Sequence, residues 1–91
     1  MELKETINGM TSADYKERFK AEYYQTKIRY NKLKNFCTEI EASEGYPDLK
    51  LECRKHDCPF EVLREQQRIM GEYLHILELR AKMEHIDLQE V

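Results

Sequence analysis

The fold is decided by residues 59–86, PFEVLREQQRIMGEYLHILELRAKMEHI. This stretch contains one glycine, Gly71, and its only proline is its first residue. At 3.6 residues per turn its apolar side chains cover about half of the helix circumference, more than the roughly 100° stripe that a surface helix needs. We therefore expect a helix over residues 58–86 that has apolar surface for more than one neighbour. These apolar residues are Val62, Leu63, Ile69, Met70, Tyr73, Leu74, Ile76, Leu77, Ala81 and Met83.

A first long helix is expected over residues 13–42. Thr11 and Ser12 supply hydroxyls for an N-cap, and Asp14 places an acid in the first turn. The core positions repeat mainly every seven residues, as in supercoiled helix pairs. Many are tyrosines, which either bury their rings with the hydroxyl at the edge of the core or line a binding surface. These positions are Tyr15, Phe19, Tyr23, Thr26, Tyr30, Leu33, Cys37 and Ile40, with Tyr24 and Ile28 outside the stripe.

The two helices have similar lengths and are joined by residues 43–57. The sequence thus predicts an all-α protein, with two long antiparallel helices that form a helical hairpin with a long connector. We expect a single domain over residues 1–91, with an arm at 1–12 and a tail at 87–91. The arm is either loosely held or packs on a neighbouring subunit. Because one hairpin of this size buries little surface, we expect it to assemble as an oligomer.

Composition argues against several classes of function. The chain has 15 basic and 18 acidic residues and a net charge of -3, which does not suit general binding to DNA or RNA. We see no secretory signal and no apolar run near the ~20 residues that span a bilayer. The expectation is a cytoplasmic protein with reduced thiols and no membrane partner.

The sequence shows no recognisable catalytic apparatus. Cys53, His56 and Cys58 are the best metal candidates, with Cys37 as a conceivable fourth ligand. Structural zinc needs four converging ligands, whereas this run gives three and Cys37 lies far away in the first helix. Cys58 could serve as a nucleophile with His56 as general base, but the sequence identifies no third residue to orient the histidine. The three glycines are too scattered for a phosphate-binding loop. We expect no metal, no cofactor and no enzymatic activity.

Arg80 interrupts the apolar arc of the second helix. A buried charge needs a partner. One possible partner is a carboxylate on the first helix or on a neighbouring subunit. The other is an anionic ligand, because a guanidinium group suits bidentate contacts with phosphate. Arg18 and Lys27, near the tyrosines of the first helix, are either further ligand contacts or simply solvated.

An ordered set of residues runs through both helices. Its members are Asp14, Tyr15, Lys16, Glu17, Arg18, Phe19, Glu22, Lys27, Leu33 and Phe36, then Phe60, Glu61, Val62, Leu63, Gln66 or Gln67, Met70, Tyr73, Leu77 and Arg80. In order and spacing, residues 14–82 resemble a family of short phage proteins known by their relation to a crAss-like phage product. The present chain differs in its longer connector.

That family is similar in size and expected architecture to phage anti-defence sponges, helical hairpins that oligomerise and trap cyclic dinucleotide or cyclic ADP-ribose signals of bacterial immunity. The resemblance implies a non-enzymatic sponge in the infected bacterial cell, with basic residues on phosphates and tyrosines on bases or ribose. The alternative is a small helical protein–protein interaction module that acts on a host or phage protein. The residues expected to bind the ligand are Arg80, Tyr73, Arg18, Tyr15, Tyr23 and Lys27.

Overall fold

The computed structural model describes residues 1–45 and 57–88. This part of the chain is helical and contains no strand, which confirms the all-α prediction. The rest of the predicted connector, residues 46–56, and the end of the tail lie outside the described residues. The elements are a 3-10 turn at Leu3–Thr6 and the helices α1 (Ile7–Met10), α2 (Tyr15–Gly45) and α3 (Phe60–Met83).

Local capping sets where the long helices begin. The Asp14 carboxylate accepts a hydrogen bond from the backbone N–H of Lys16 at 3.0 Å, so α2 begins at Tyr15, slightly later than expected. It continues to Gly45, three residues past the predicted end. Helix α3 follows Pro59, whose carbonyl accepts the first helical bond from Leu63 at 3.2 Å. None of the helices in the described residues is long and apolar enough to cross a bilayer.

Helices α2 and α3 contact each other from end to end. The start of α2 meets the end of α3, where the Tyr15 hydroxyl donates to Glu84 at 2.9 Å. The end of α2 meets the start of α3, where Glu41 forms an ion pair with Arg64. The two helices therefore lie side by side and point in opposite directions. Association with a second copy stays a prediction.

An apolar layer fills the space between α2 and α3. Within the predicted stripe, Tyr15 lies at the surface with 45% of its area exposed. Tyr24, expected outside the stripe, belongs to the core and meets the Tyr23 ring edge-on. The buried cluster contains Phe19, Tyr23, Tyr24, Leu74, Leu77, Ala81 and Ile86, and Cys37 and Ile40 are buried further along α2.

The N-terminal arm packs on α2 of its own chain. Thr6 is buried, and its hydroxyl donates to the carbonyl of Leu3 at 2.7 Å. A Cβ added at Gly9 would lie 2.9 Å from the Cβ of Ala21, so the arm approaches α2 at a position where glycine leaves room. This contact is on a second face of α2, where Ile28 is also buried. The arm therefore packs on its own chain, while Ile7 of the arm stays 57% exposed.

Helix α3 ends in a left-handed turn. His85 has φ 56°, and the N–H of Ile86 donates to the carbonyl of Ala81 at 2.8 Å, the long bond of a Schellman motif. Ile86 then returns to the core and is 6% exposed. The turn fixes Glu84 beside the start of α2, where the candidate site lies.

Candidate functional site

Arg80, Tyr15 and Glu84 form a closed hydrogen-bonded triad where α2 begins and α3 ends. The Arg80 Nη2 donates to the Tyr15 hydroxyl at 2.8 Å. That hydroxyl donates to the Glu84 Oε1 at 2.9 Å. The Arg80 Nε donates to the Glu84 Oε2 at 3.3 Å. The triad thus joins the two helices through a guanidinium, a phenol and a carboxylate.

Arg80 lies over the core and not inside it. Its guanidinium carbon is 5.1 Å from the centroid of the buried Phe19 ring, while 46% of its side chain is exposed. The long side chain covers apolar surface and leaves its charged end in water. Its partners are a phenol on α2 and the carboxylate of Glu84, directly after the end of α3. The sequence had left open a carboxylate on the first helix or on a neighbouring subunit, or an anionic ligand. Tyr15 and then Glu84 raise the pKa of Arg80, while desolvation opposes the rise.

Tyr73 lies two turns before Arg80 on the same side of α3. Its hydroxyl donates to the Glu22 carboxylate on α2. That hydrogen bond, followed by burial, raises the pKa of Tyr73, and the positive charge of Arg80 opposes the rise. Tyr73 is therefore a protonated donor at neutral pH, and 39% of its surface is exposed.

These side chains form one exposed edge of the helix pair, which we call the Tyr73–Arg80 edge. It consists of Tyr15, Glu22, Tyr73, Arg80 and Glu84. Its guanidinium and phenols are donors suited to anionic oxygens, and the rings offer stacking surfaces. Each donor is bonded to a carboxylate in this structure, so an incoming anion must displace one.

The other three predicted ligand residues are engaged elsewhere. The Tyr23 hydroxyl donates to Glu78 at 3.0 Å on the opposite edge of the helix pair. The Lys27 ammonium lies 5.9 Å from the centroid of the Tyr30 ring. The Arg18 Nη1 donates to the carbonyl of Ser12 at 2.9 Å and so ties the arm to α2. The structure brings together Tyr15, Tyr73 and Arg80 only.

Neither Glu22 nor Glu84 was predicted as a site residue, although Glu22 belongs to the ordered set that carries the family resemblance. Glu84 follows Arg80 by four residues, a spacing at which opposite charges on a helix meet. That signal was present in the sequence. The contact between Glu22 and Tyr73 depends on the register of α2 against α3, which no local pattern sets.

The thiols form no metal site in the described part of the chain, where no three potential ligands come together. Cys53 and His56 lie outside the described residues. Cys58 is half-buried. Cys37 is fully buried, and this burial raises the pKa of its thiol, which disfavours the reactive thiolate.

Beside the Tyr73–Arg80 edge, α3 carries an apolar outer face that does not pack on α2. We call it the outer stripe, and its residues are spaced by seven. At its start a shallow groove opens between Val62, Gln66, Ile69 and Met70. The members and their exposed fractions are Val62 55%, Ile69 52%, Ile76 52% and Met83 75%.

Comparison with known proteins finds a family model that matches most of the chain. The model of a family described as Sequestin matches residues 13–83, which include α2, α3 and most of the Tyr73–Arg80 edge. No curated protein and no solved structure matches the chain.

Proposed function

Because this chain belongs to the Sequestin family, whose name is compatible with a sequestering role, we propose that it is a non-enzymatic sponge for a nucleotide-derived signal of bacterial immunity. The signal is of the cyclic ADP-ribose or cyclic oligonucleotide type. The setting is phage anti-defence in the cytoplasm of an infected bacterium. The observation that carries the proposal is the Tyr73–Arg80 edge, where one guanidinium and two phenols share an exposed surface.

Phosphate oxygens replace the Glu84 carboxylate at this edge. The bond from the Arg80 Nε to Glu84 is long, at 3.3 Å, and exposed ion pairs contribute little to stability. A phosphate offers the guanidinium a bidentate, charge-assisted contact, which is stronger than the long bond to Glu84. The Tyr15 hydroxyl, released from Glu84, donates to the same anion. Tyr73 stacks on the base or donates to the ribose.

Sequestration needs no chemical step. The protein competes with the host receptor for the signal by mass action, so the dissociation constant must lie below the signal concentration and the protein must be abundant. The ligand leaves unchanged when the protein is denatured.

Isothermal titration calorimetry with cyclic ADP-ribose isomers and cyclic dinucleotides tests the role of Arg80. We expect Arg80→Met to weaken capture by roughly 10–100-fold, because a charge-assisted contact is lost. Arg64→Met is the matched control. Arg64 lies on α3, pairs with Glu41 across the helices, lies 5.6 Å from the Phe60 ring centroid and is 44% exposed, but no tyrosine of the edge is beside it.

Capture that is unchanged in Arg64→Met and lost in Arg80→Met supports the site. Equal losses in the two variants would show that the edge has no special role. An unmodified protein that binds none of these nucleotides contradicts the proposed function.

A second candidate is a protein-interaction module whose apolar face takes a helix of a host or phage protein. The exposure of the outer stripe favours it. In this case the unmodified chain retains a partner protein, and Arg80→Met leaves that binding intact. The purified protein then binds no small anion.

A further inference from the structure

The Tyr73–Arg80 edge is built from pairs of residues that face each other across α2 and α3. Tyr15 faces Arg80, whose Nη2 donates to the Tyr15 hydroxyl at 2.8 Å. Seven residues further along α2 and seven residues back along α3, Glu22 faces Tyr73 and accepts its hydrogen bond. Antiparallel helices with a heptad repeat keep such a register. The same step of seven therefore gives the next pair of the edge.

That next pair is Arg29 on α2 and Gln66 on α3. Arg29 is exposed, and within the part of the chain that the structure describes it forms no hydrogen bond, ion pair or ring contact. No acid lies three or four residues from it in α2, the spacings at which a helix supplies an ion pair. Glu22 lies seven residues away and already accepts from Tyr73. Arg29 therefore brings an uncompensated positive charge to the edge.

The lack of a partner distinguishes Arg29 from the other arginines that the structure describes. Each of those donates to a carboxylate or to a backbone carbonyl. The contacts are from Arg18 to the carbonyl of Ser12, from Arg64 to Glu41, from Arg68 to Glu65 and Glu72, and from Arg80 to Glu84. An anion that binds at Arg80 must displace Glu84, whereas an anion that binds at Arg29 displaces no carboxylate.

The direction of the helices brings the two guanidinium groups towards Tyr73. The outer pairs of the edge are fourteen residues apart on α2, about 21 Å along the helix. A side chain on a helix leans towards the N-terminus of that helix. Because α2 and α3 are antiparallel, we expect Arg29 and Arg80 to lean towards the middle pair from opposite ends. The edge thus offers two cationic groups with a phenol between them.

We propose that Arg29 is a second anion-binding residue of this site, and that one ligand spans the edge from Arg80 to Arg29. The inference rests on the proposed function and deepens it. A pyrophosphate joins its two phosphates through one oxygen, so one guanidinium can hold both. Guanidinium groups on either side of Tyr73 suit two phosphates that are separated by a ribose, as in a cyclic oligonucleotide.

The remaining groups of the edge suit the parts of such a ligand that lie between its phosphates. The Tyr73 ring is a stacking surface for a base or a ribose. The Gln66 Nε2 makes only a long contact of 3.9 Å with the sulfur of Met70. Its amide, which has both donors and an acceptor, is therefore left to bond the edge of a base.

Isothermal titration calorimetry with cyclic dinucleotides and cyclic ADP-ribose isomers tests the role of Arg29. Arg29→Met should weaken capture of a cyclic dinucleotide by roughly 10-fold, because a charge-assisted contact is lost. Arg29→Lys keeps the charge but loses the planar fork, so it should recover only part of the affinity. Because Arg29 has no partner within the described residues, neither variant should lower the melting temperature.

Lys34→Met is the matched control for charge. Lys34 is exposed on α2 five residues after Arg29, a spacing that turns it about 140° away from the edge. Its loss removes the same charge from the same helix without touching the site, so affinity should stay unchanged. Equal losses in Lys34→Met and Arg29→Met would show only a long-range effect of charge and would overturn the proposal.

The outcomes separate this inference from the proposed function. Capture by Arg29→Met that is as tight as capture by the unmodified protein overturns the second contact and leaves the sponge in place. Capture of cyclic ADP-ribose isomers alone, with no cyclic dinucleotide bound, overturns the span between separated phosphates. An unmodified protein that binds none of these nucleotides refutes the proposed function together with the inference.

Discussion

His85 offers a sharp test of how α3 ends. Its φ of 56° lies in the left-handed region, which is unfavourable by roughly 1–2 kcal/mol for a residue with a Cβ. Glycine avoids that strain and is the usual residue at this position. Part of the gain is offset because a glycine gives the unfolded chain more conformational entropy. We expect His85→Gly to raise the free energy of unfolding by about 0.5–1 kcal/mol. The melting temperature should rise by roughly 2–8 °C.

His75→Gly is the matched control for this prediction. His75 is also an exposed histidine, but it lies inside α3. Glycine there should lower the free energy of unfolding by about 0.5 kcal/mol, because it is a poorer helix former than histidine. Thermal melts followed by circular dichroism at one protein concentration compare the variants. If both variants shift the melting temperature in the same direction, our account of the terminal turn is refuted.

Three further predictions follow from buried or close contacts. Leu77 is 0% exposed, so Leu77→Ala should lower the free energy of unfolding by about 2–5 kcal/mol in a denaturant titration; a loss under about 1 kcal/mol would contradict the assigned core. The hydrogen bond from Tyr73 to Glu22 raises the pKa of Tyr73 above its usual 10.0. This bond therefore stabilises the fold fully below pH 10, and its contribution is lost as the pH rises through the pKa that Tyr73 has in the folded protein. Glu22→Gln should lower the pKa of Tyr73 in an NMR titration, and an unchanged pKa would count against this contact. Gly9→Ala should release the arm, because the added Cβ would lie 2.9 Å from that of Ala21; amide exchange in residues 1–12 as slow as in the unmodified protein would argue against this packing.

The broad features of α3 could be predicted from the sequence because they are local. The 3.6-residue period of its apolar residues predicts more apolar surface than packing against one helix requires. The outer stripe is the part of this surface that α2 leaves exposed. The pairing of Arg80 with Glu84 also follows from a spacing of four residues. In contrast, the contact between Arg80 and Tyr15 depends on how α2 and α3 align along their length, and no local sequence pattern sets that alignment.

The N-terminal arm shows why the predicted core of α2 was incomplete. Ile28 lies outside the heptad stripe, so the sequence placed it at the surface, yet it is buried. The arm packs on a second face of α2, where Gly9 meets Ala21. A tertiary contact of this kind depends on close approach between distant residues and leaves no periodic signal.

Native mass spectrometry of the purified protein tests the central claim most directly. The protein is measured alone and after incubation with cyclic ADP-ribose isomers and cyclic dinucleotides. Our account predicts that a dimer or higher oligomer captures one of them in fixed stoichiometry and releases it chemically unchanged on denaturation. An oligomer that ignores all of these nucleotides, or one that releases a cleaved product, would contradict it.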